Sequence, residues 1–155
     1  MKKILIVSTL LFLQFSFTQN SEEVSGKELE KLKNKSKVET LSFNELDEVP
    51  VFPGCERVLK LDQANCFQNK IQMHIAKNFR YPTIAEMKNI KGRVFVKFTI
   101  DIDGTLESIK TRGPHPILEK EAKRIISRLP KIKPGSKDGN LVKVTFSIPI
   151  TFQMY

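Results

Sequence analysis

The chain has 155 residues, 28% of them charged and 40% hydrophobic, and its 26 Lys and Arg against 17 Asp and Glu give a formal net charge of +9. This length fits one compact domain with extensions. Two His and two Cys without a familiar ligand spacing argue against a metal-centred or His-based active site.

The first eighteen residues have the composition of an export signal. Met1-Lys2-Lys3 is basic, and residues 4–17 form an apolar run. In Ser16-Phe17-Thr18, Ser16 and Thr18 are small residues at the two positions that a signal peptidase recognises. The run is shorter than the roughly 20 residues that a membrane-spanning helix needs. Residues 1–18 are therefore predicted to be a cleaved signal peptide, with an uncleaved short anchor or a buried helix as alternatives.

Residues 19–48 are predicted to form a polar linker, and residues 49–155 the folded domain. Residues 19–50 hold five Lys against eight acidic residues, a net charge of −3, whereas residues 51–155 hold nineteen Lys and Arg against nine, a net charge of +10. Nucleic acid, an anionic membrane surface or an acidic protein would each match a basic domain. Export favours the last two, and a solvated basic face without a partner is the remaining interpretation.

The two cysteines are Cys55 and Cys66. Export would place them in an oxidising compartment, where a lone pair usually forms a disulfide. Free thiols and a metal site are the alternatives.

Two segments show the strict alternation of a strand with one face in a core. The apolar residues on their even positions are Val94, Val96, Phe98, Ile100 and Ile102, then Val142, Val144, Phe146, Ile148, Ile150 and Phe152. Asp103-Gly104 follows the first segment and predicts a two-residue hairpin turn with positive φ at both positions. The neighbouring strand should then run from Thr105 to Arg112.

Three helices are predicted around these strands. The first begins at Asn65 and has an apolar face from Phe67 to Phe79, a short second begins at Thr83, and a third covers residues 117–129. His74 beside the first apolar face is predicted to pack there rather than to bind a ligand. The order of elements predicts an α+β domain, a three-stranded antiparallel sheet with helices packed on one face.

Motifs of catalysis and phosphate binding are absent from the sequence, so we predict no enzyme, no catalytic residue, no metal, no cofactor and no small-molecule substrate. Asp101-x-Asp103-Gly104 lacks the further ligands of a calcium loop. Residues 91–98 partly match the RNA-recognition signature but carry Arg93 where a stacking aromatic belongs. RNA binding is thus a distant alternative, and no nucleic-acid partner is predicted.

From about residue 51 to its end, the chain resembles a TonB C-terminal domain, the periplasmic receptor-binding module of bacterial energy transducers. The resemblance includes Pro53-Gly-Cys-Glu56 with Cys66-Phe67, which is similar to a variant that pairs its cysteines. The other matching motifs are Tyr81-Pro82-x-x-Ala85, Gly92-x-Val-x-Val-x-Phe98, Asp101-x-Asp-Gly104, Leu118-Glu119-x-x-Ala122 and Ile148-Pro-Ile-x-Phe152. Tyr81, Pro82, Gly92 and Gly104 are its leading motif positions.

The resemblance implies a binding protein in the periplasm. In that family the last strand is an exposed sheet edge, and a segment of an outer-membrane receptor, the TonB box, adds to it as a further strand. Pro149 lacks an N–H and therefore suits an edge strand. The implied partner-binding residues are Val142, Lys143, Val144, Thr145, Phe146, Ser147 and Ile148.

The implied role is energy-coupled transport across the outer membrane, with a TonB-dependent receptor and an inner-membrane proton-channel complex as partners. Typical members, however, have a true membrane anchor and a long Pro-rich spacer. Here the apolar run is short and the linker has no Pro before Pro50. An exported adaptor or structural domain that reuses the fold without energy transduction is therefore the alternative.

Overall fold

A computed structural model describes residues 38–154. The predicted signal peptide and most of the predicted linker lie outside the described residues. Among residues 38–154, no helix has both the length and the apolar character that crossing a membrane requires.

The fold is built on a sheet of four strands. These are β1 Thr40–Ser42, β2 Gly92–Ile100, β3 Leu106–Arg112 and β6 Lys143–Phe152, in the spatial order β1-β6-β2-β3. β2 pairs antiparallel with both β3 and β6. These three strands form the predicted antiparallel sheet, and β1 is a short parallel addition that the sequence did not predict. β4 Ser136–Lys137 and β5 Asn140–Leu141 form a separate small hairpin.

Helices pack on one face of this sheet, as predicted, and the α+β fold class is confirmed. They are α1 Gln63–Asn78, α2 Thr83–Met87 and α3 Pro116–Ile126. α1 and α3 direct their apolar residues into the same core as the even-numbered residues of β2 and β6. His74 on α1 lies 2.9 Å from the carbonyl oxygen of Ile125 on α3 through its Nε2, so it joins the two helices.

The alternation in the sequence predicts which strand residues are buried. Val94, Val96, Phe98 and Ile100 are fully buried, whereas Phe95 is 56% exposed on the outer face of the sheet. Ile102 is the exception, because β2 ends at Ile100. Ile102 then falls in the connecting loop and is 37% exposed.

The predicted two-residue turn at Asp103-Gly104 is wrong. The connection runs from Asp101 to Thr105, and within it Gly104 alone has positive φ, +85°. Asp103 accepts from the backbone N–H of Thr105 (2.8 Å) through Oδ1, and the C=O of Gly104 accepts from the N–H of Ile132 at 2.9 Å. These bonds hold a wider loop than the tight turn.

The second Asp-Gly pair of the chain forms the tight turn instead. Asp138 and Gly139, between β4 and β5, have φ of +49° and +75°, and Lys137 pairs directly with Asn140. This is the geometry that a two-residue hairpin requires.

The predicted disulfide is present between Cys55 and Cys66. It ties the Pro-containing segment before α1 to the first turns of that helix. Val51 in the same segment pairs with Lys133 through backbone bonds of 3.0 Å in both directions. The segment is therefore fixed along the domain at both ends.

Replacing Gly104 should destabilise the domain more than the same change at Gly139. Both have positive φ, which costs a non-glycine residue about 1–2 kcal/mol. A Cβ at Gly104 would also stand 2.1 Å from the carbonyl oxygen of Ile132, whereas one at Gly139 meets nothing within 4 Å. In urea unfolding we expect Gly104→Ala to lose more than about 2 kcal/mol and Gly139→Ala about 1 kcal/mol. Equal losses would contradict the loop geometry.

Candidate functional site

β6 is paired along all but its first residue on one side and along a short part on the other. Its inner neighbour β2 pairs with it from Val144 to Phe152. On the other side, β1 covers Lys143, Val144 and Thr145 in a parallel register. Among residues 38–154, no strand pairs with this side of residues 146–152. The predicted sheet edge therefore exists, but the chain fills its first part.

The backbone of β6 alternates between these two sides. The N–H of Lys143 donates to the carbonyl oxygen of Glu39, beside β1, at 2.9 Å. Since the N–H and C=O of one residue point to the same side of an antiparallel strand and the next residue points to the other, the odd-numbered residues all face this edge. Beyond β1, the edge offers the N–H groups of Ser147 and Thr151. Pro149 between them offers a carbonyl oxygen alone.

The structure divides the predicted partner-binding segment, residues 142–148. Val142 precedes β6, and its N–H donates to the carbonyl oxygen of Gly135 at 3.2 Å. Lys143, Val144 and Thr145 lie beside β1. The last three predicted residues, Phe146, Ser147 and Ile148, lie in the open part, which continues to Phe152.

An aromatic cluster holds the segment that follows β1. The ring of Phe43 lies 5.1 Å from that of Phe67 on α1 and 5.2 Å from that of Phe146 on β6. The N–H of Ser42 donates to a carboxylate oxygen of Glu45 at 2.7 Å, closing a 3₁₀ turn over Phe43–Glu45. The chain thus turns away from β6 directly after Ser42.

A cleft of about 510 Å³ opens where β1 ends. It is lined by Phe43, by Gln68 and Gln72 of α1, and by Phe146 and Ser147 of β6. It continues the line of β1 along the unpaired edge. An extended segment longer than β1 would therefore find space, apolar surface and backbone partners in one row.

The outer face of the sheet is basic on β2 and β3. Arg93 and Lys97 of β2 and Lys110 and Arg112 of β3 are exposed and form no ion pair among the described residues. Lys143 is different, because the bond from its Nζ to Glu107 (2.7 Å) raises the pKa of its amine. This face has the charge to favour an anionic partner.

The motif residues of the resemblance support the fold around the site. Tyr81 donates through its hydroxyl to the carbonyl oxygen of Ile90 at 2.7 Å, and its ring centroid lies 6.0 Å from that of Phe152 at the end of β6. Pro82 directly precedes α2, Gly92 is the first residue of β2, and Gly104 lies in the loop to β3.

His115 has a structural role in the described part of the chain. It accepts from the N–H of Ile117 through Nδ1 at 3.2 Å and so caps α3. Within residues 38–154, no three His, Cys, Asp or Glu side chains gather into a group that could hold a metal ion.

Fold and edge together define a small α+β domain whose last strand is unpaired on one side along residues 146–152, among the described residues. The profile of the family described as Gram-negative bacterial TonB protein C-terminal matches residues 77–154, about half of the chain. The chain belongs to this family.

Known relatives are similar over part of their length. Over 47 residues, 30% of this chain, it is 45% identical to the TonB protein of two Helicobacter pylori strains, and the match spans 17% and 16% of those proteins. The solution structure of the H. pylori TonB C-terminal domain, residues 179–285, has 32% identity and a TM-score of 0.49 over 59% of this chain and 83% of that one. The Pseudomonas aeruginosa domain has 26% identity and a TM-score of 0.40, over 48% of this chain and 77% of that one.

Acid should release β1 before it opens the sheet. The pKa of Glu45 is lowered by its bond to Ser42, that of Asp47 by the N–H of Asp138 and by Lys137, and that of Glu48 by Lys60 and Ser136. Carboxylates with a lowered folded-state pKa stabilise the fold above their ordinary pKa of about 4, and this stabilisation is lost as the pH falls through the lowered value.

Amide hydrogen exchange between pH 6 and pH 3, corrected for intrinsic rates, measures this release. We expect the N–H of Lys143 to lose protection while that of Ile148, which faces β2, keeps it. The change Asp47→Asn at pH 6 should reproduce part of the effect. Equal protection of Lys143 at both pH values would contradict it.

Proposed function

We propose that the protein is a periplasmic TonB-like protein that binds a segment of an outer-membrane receptor by β-strand addition to β6, in energy-coupled transport across the outer membrane. The observation that supports this most is the unpaired side of β6 after Thr145. Unpaired strand edges are templates for pairing with another chain. Membership of the TonB C-terminal family directs the proposal to a receptor of the TonB-dependent class.

The energetics of the edge suit a reversible contact. Each backbone hydrogen bond contributes about 0.5–1.5 kcal/mol net, and beyond β1 the edge has few donors because of Pro149. A segment bound there would therefore have moderate affinity. When a pulling force acts on several of these hydrogen bonds at the same time, they would resist it jointly, as a connection that transmits force requires.

The exposed cations of the outer face add a preference for an acidic partner. Opposite charge mainly raises the rate of encounter and favours one partner over others. An inner-membrane proton-channel complex is part of the same proposal, since transport of this kind needs an energy source in the inner membrane.

An exported adaptor that pairs strands without transmitting force is the second candidate. The short apolar run of residues 4–17 and the absence of Pro before Pro50 favour it. N-terminal sequencing of the exported protein separates the two candidates. A start near Gln19 would leave no membrane anchor and would support the adaptor.

Substitutions on the open edge should change affinity for receptor segments in opposite directions. Ser147→Pro removes an edge N–H, and Pro149→Thr adds one at a position where the neighbouring edge residues are Ser and Thr. Since one hydrogen bond is worth about 0.5–1.5 kcal/mol, we expect Ser147→Pro to weaken binding by roughly twofold to tenfold and Pro149→Thr to strengthen it by a similar factor.

The measurement is isothermal titration with synthetic TonB-box segments from the receptors of the same organism. Thr111→Pro on β3 is the matched control, because β3 forms the opposite edge of the sheet and the N–H of Thr111 also points outward. It should leave the affinity unchanged. Loss of affinity in Thr111→Pro with none in Ser147→Pro would move the site to β3.

A further inference from the structure

We infer that β1 is a resident occupant of the partner site on β6, and that a partner segment binds by displacing it. The inference rests on the proposed function, because it concerns the same edge. It also names the kind of segment that the edge accepts.

β1 uses the backbone groups that an added strand would need. The N–H of Lys143 donates to Glu39 at 2.9 Å, and in a parallel ladder the C=O of the same residue accepts from the N–H of Leu41. A single N–H donates one hydrogen bond. A partner that pairs with Lys143 and Thr145 therefore cannot do so while β1 is in place.

β1 is a short occupant that a longer segment can replace. It pairs with three residues of β6, and Thr40 and Ser42 are exposed while Leu41 is half-buried. After Ser42 the chain turns away and leaves residues 146–152 without a neighbour on this side. A segment that continued straight would extend into the cleft beside Phe146 and Ser147 and form bonds that β1 does not.

The side chains of β1 show what the site selects. Leu41 lies beside Val144 in the register and points to the same, core-facing side. Two residues later, the ring of Phe43 packs against those of Phe67 and Phe146, which also contact each other. The site therefore fits an extended segment that runs parallel to β6, with an aliphatic residue followed two positions later by an aromatic or large aliphatic one.

Occupation by β1 lowers the apparent affinity for any competitor. When the binding-competent state is a fraction of the population, the observed affinity is reduced by that fraction, so a site closed for about 90% of the time binds roughly tenfold more weakly. Removing β1 from the edge should therefore raise the observed affinity by this factor without any change in β6.

The test uses the full chain, isotopically labelled, and a synthetic peptide with the sequence of residues 38–45, VETLSFNE, as probe. Leu41→Pro removes the N–H that faces Lys143. Thr40→Pro is the matched control, because the N–H of Thr40 points away from β6. By NMR titration we expect the peptide to bind Leu41→Pro roughly tenfold more tightly than the unchanged protein or Thr40→Pro, with shifts at residues 143–147. The Phe43→Ala variant lacks the aromatic ring that holds β1 on the edge. It should therefore also bind the peptide more tightly than the unchanged protein.

A second titration with receptor TonB-box segments separates this inference from the proposed function. If segments bind by displacing β1, the bound state should lose the protection of the β1 amides from hydrogen exchange. The segments should also bind the Leu41→Pro variant more tightly than the Thr40→Pro variant. Equal peptide affinity in all variants, or β1 amides that stay protected in the bound state, would overturn the inference even if receptor segments bind. Failure of every receptor segment to bind would contradict the proposed function, and the peptide titration would still decide whether β1 occupies a strand-accepting site.

Discussion

The structure depends on the unequal pairing of β6. One side of this strand is bonded to β2 from Val144 to Phe152, and the other is covered by β1 over three residues. Because backbone N–H and C=O groups need partners, and water satisfies them only at the surface, such a strand is stable in the fold and still able to accept another chain. The pairing with β2 fixes this strand in the sheet, and on its other side residues 146–152 are a free edge among the described residues.

The rest of the fold keeps this edge accessible. The helices cover the inner face of the sheet, where Phe67 and Ile71 of α1 meet the even-numbered residues of β6. The disulfide and the pairing of Val51 with Lys133 hold the Pro-containing segment before α1 along the domain. This segment therefore stays away from the open part of the edge. Pro149, which cannot donate, limits uncontrolled pairing between copies. Phe146 of β6 links the core to the edge, since it packs against the core and also contacts Phe43 beside the edge.

Much of this architecture could be predicted from the sequence, because strict alternation in two segments has few structural solutions. The even positions of β2 and β6 were predictable for that reason. Helical spacing of apolar residues predicted the faces of α1 and α3, and the expected oxidising compartment predicted the cysteine pair. β1 was not, because three residues within a charged stretch have no periodicity, and their place is decided by Phe43 packing against rings distant in sequence. The turn at Asp103-Gly104 was predicted wrongly for a similar reason: the side chain of Asp103 and the contact with Ile132 select a wider loop, and only tertiary structure shows that contact.

Amide hydrogen exchange along β6 in the free protein tests the central claim most directly. The account predicts slow exchange for the N–H groups of Ile148 and Ile150, which face β2, and fast exchange for those of Ser147 and Thr151, which face the open edge. Lys143, covered by β1, should lie between them. Protection of Ser147 and Thr151 equal to that of Ile148 would show that the edge is already occupied, and would contradict the account.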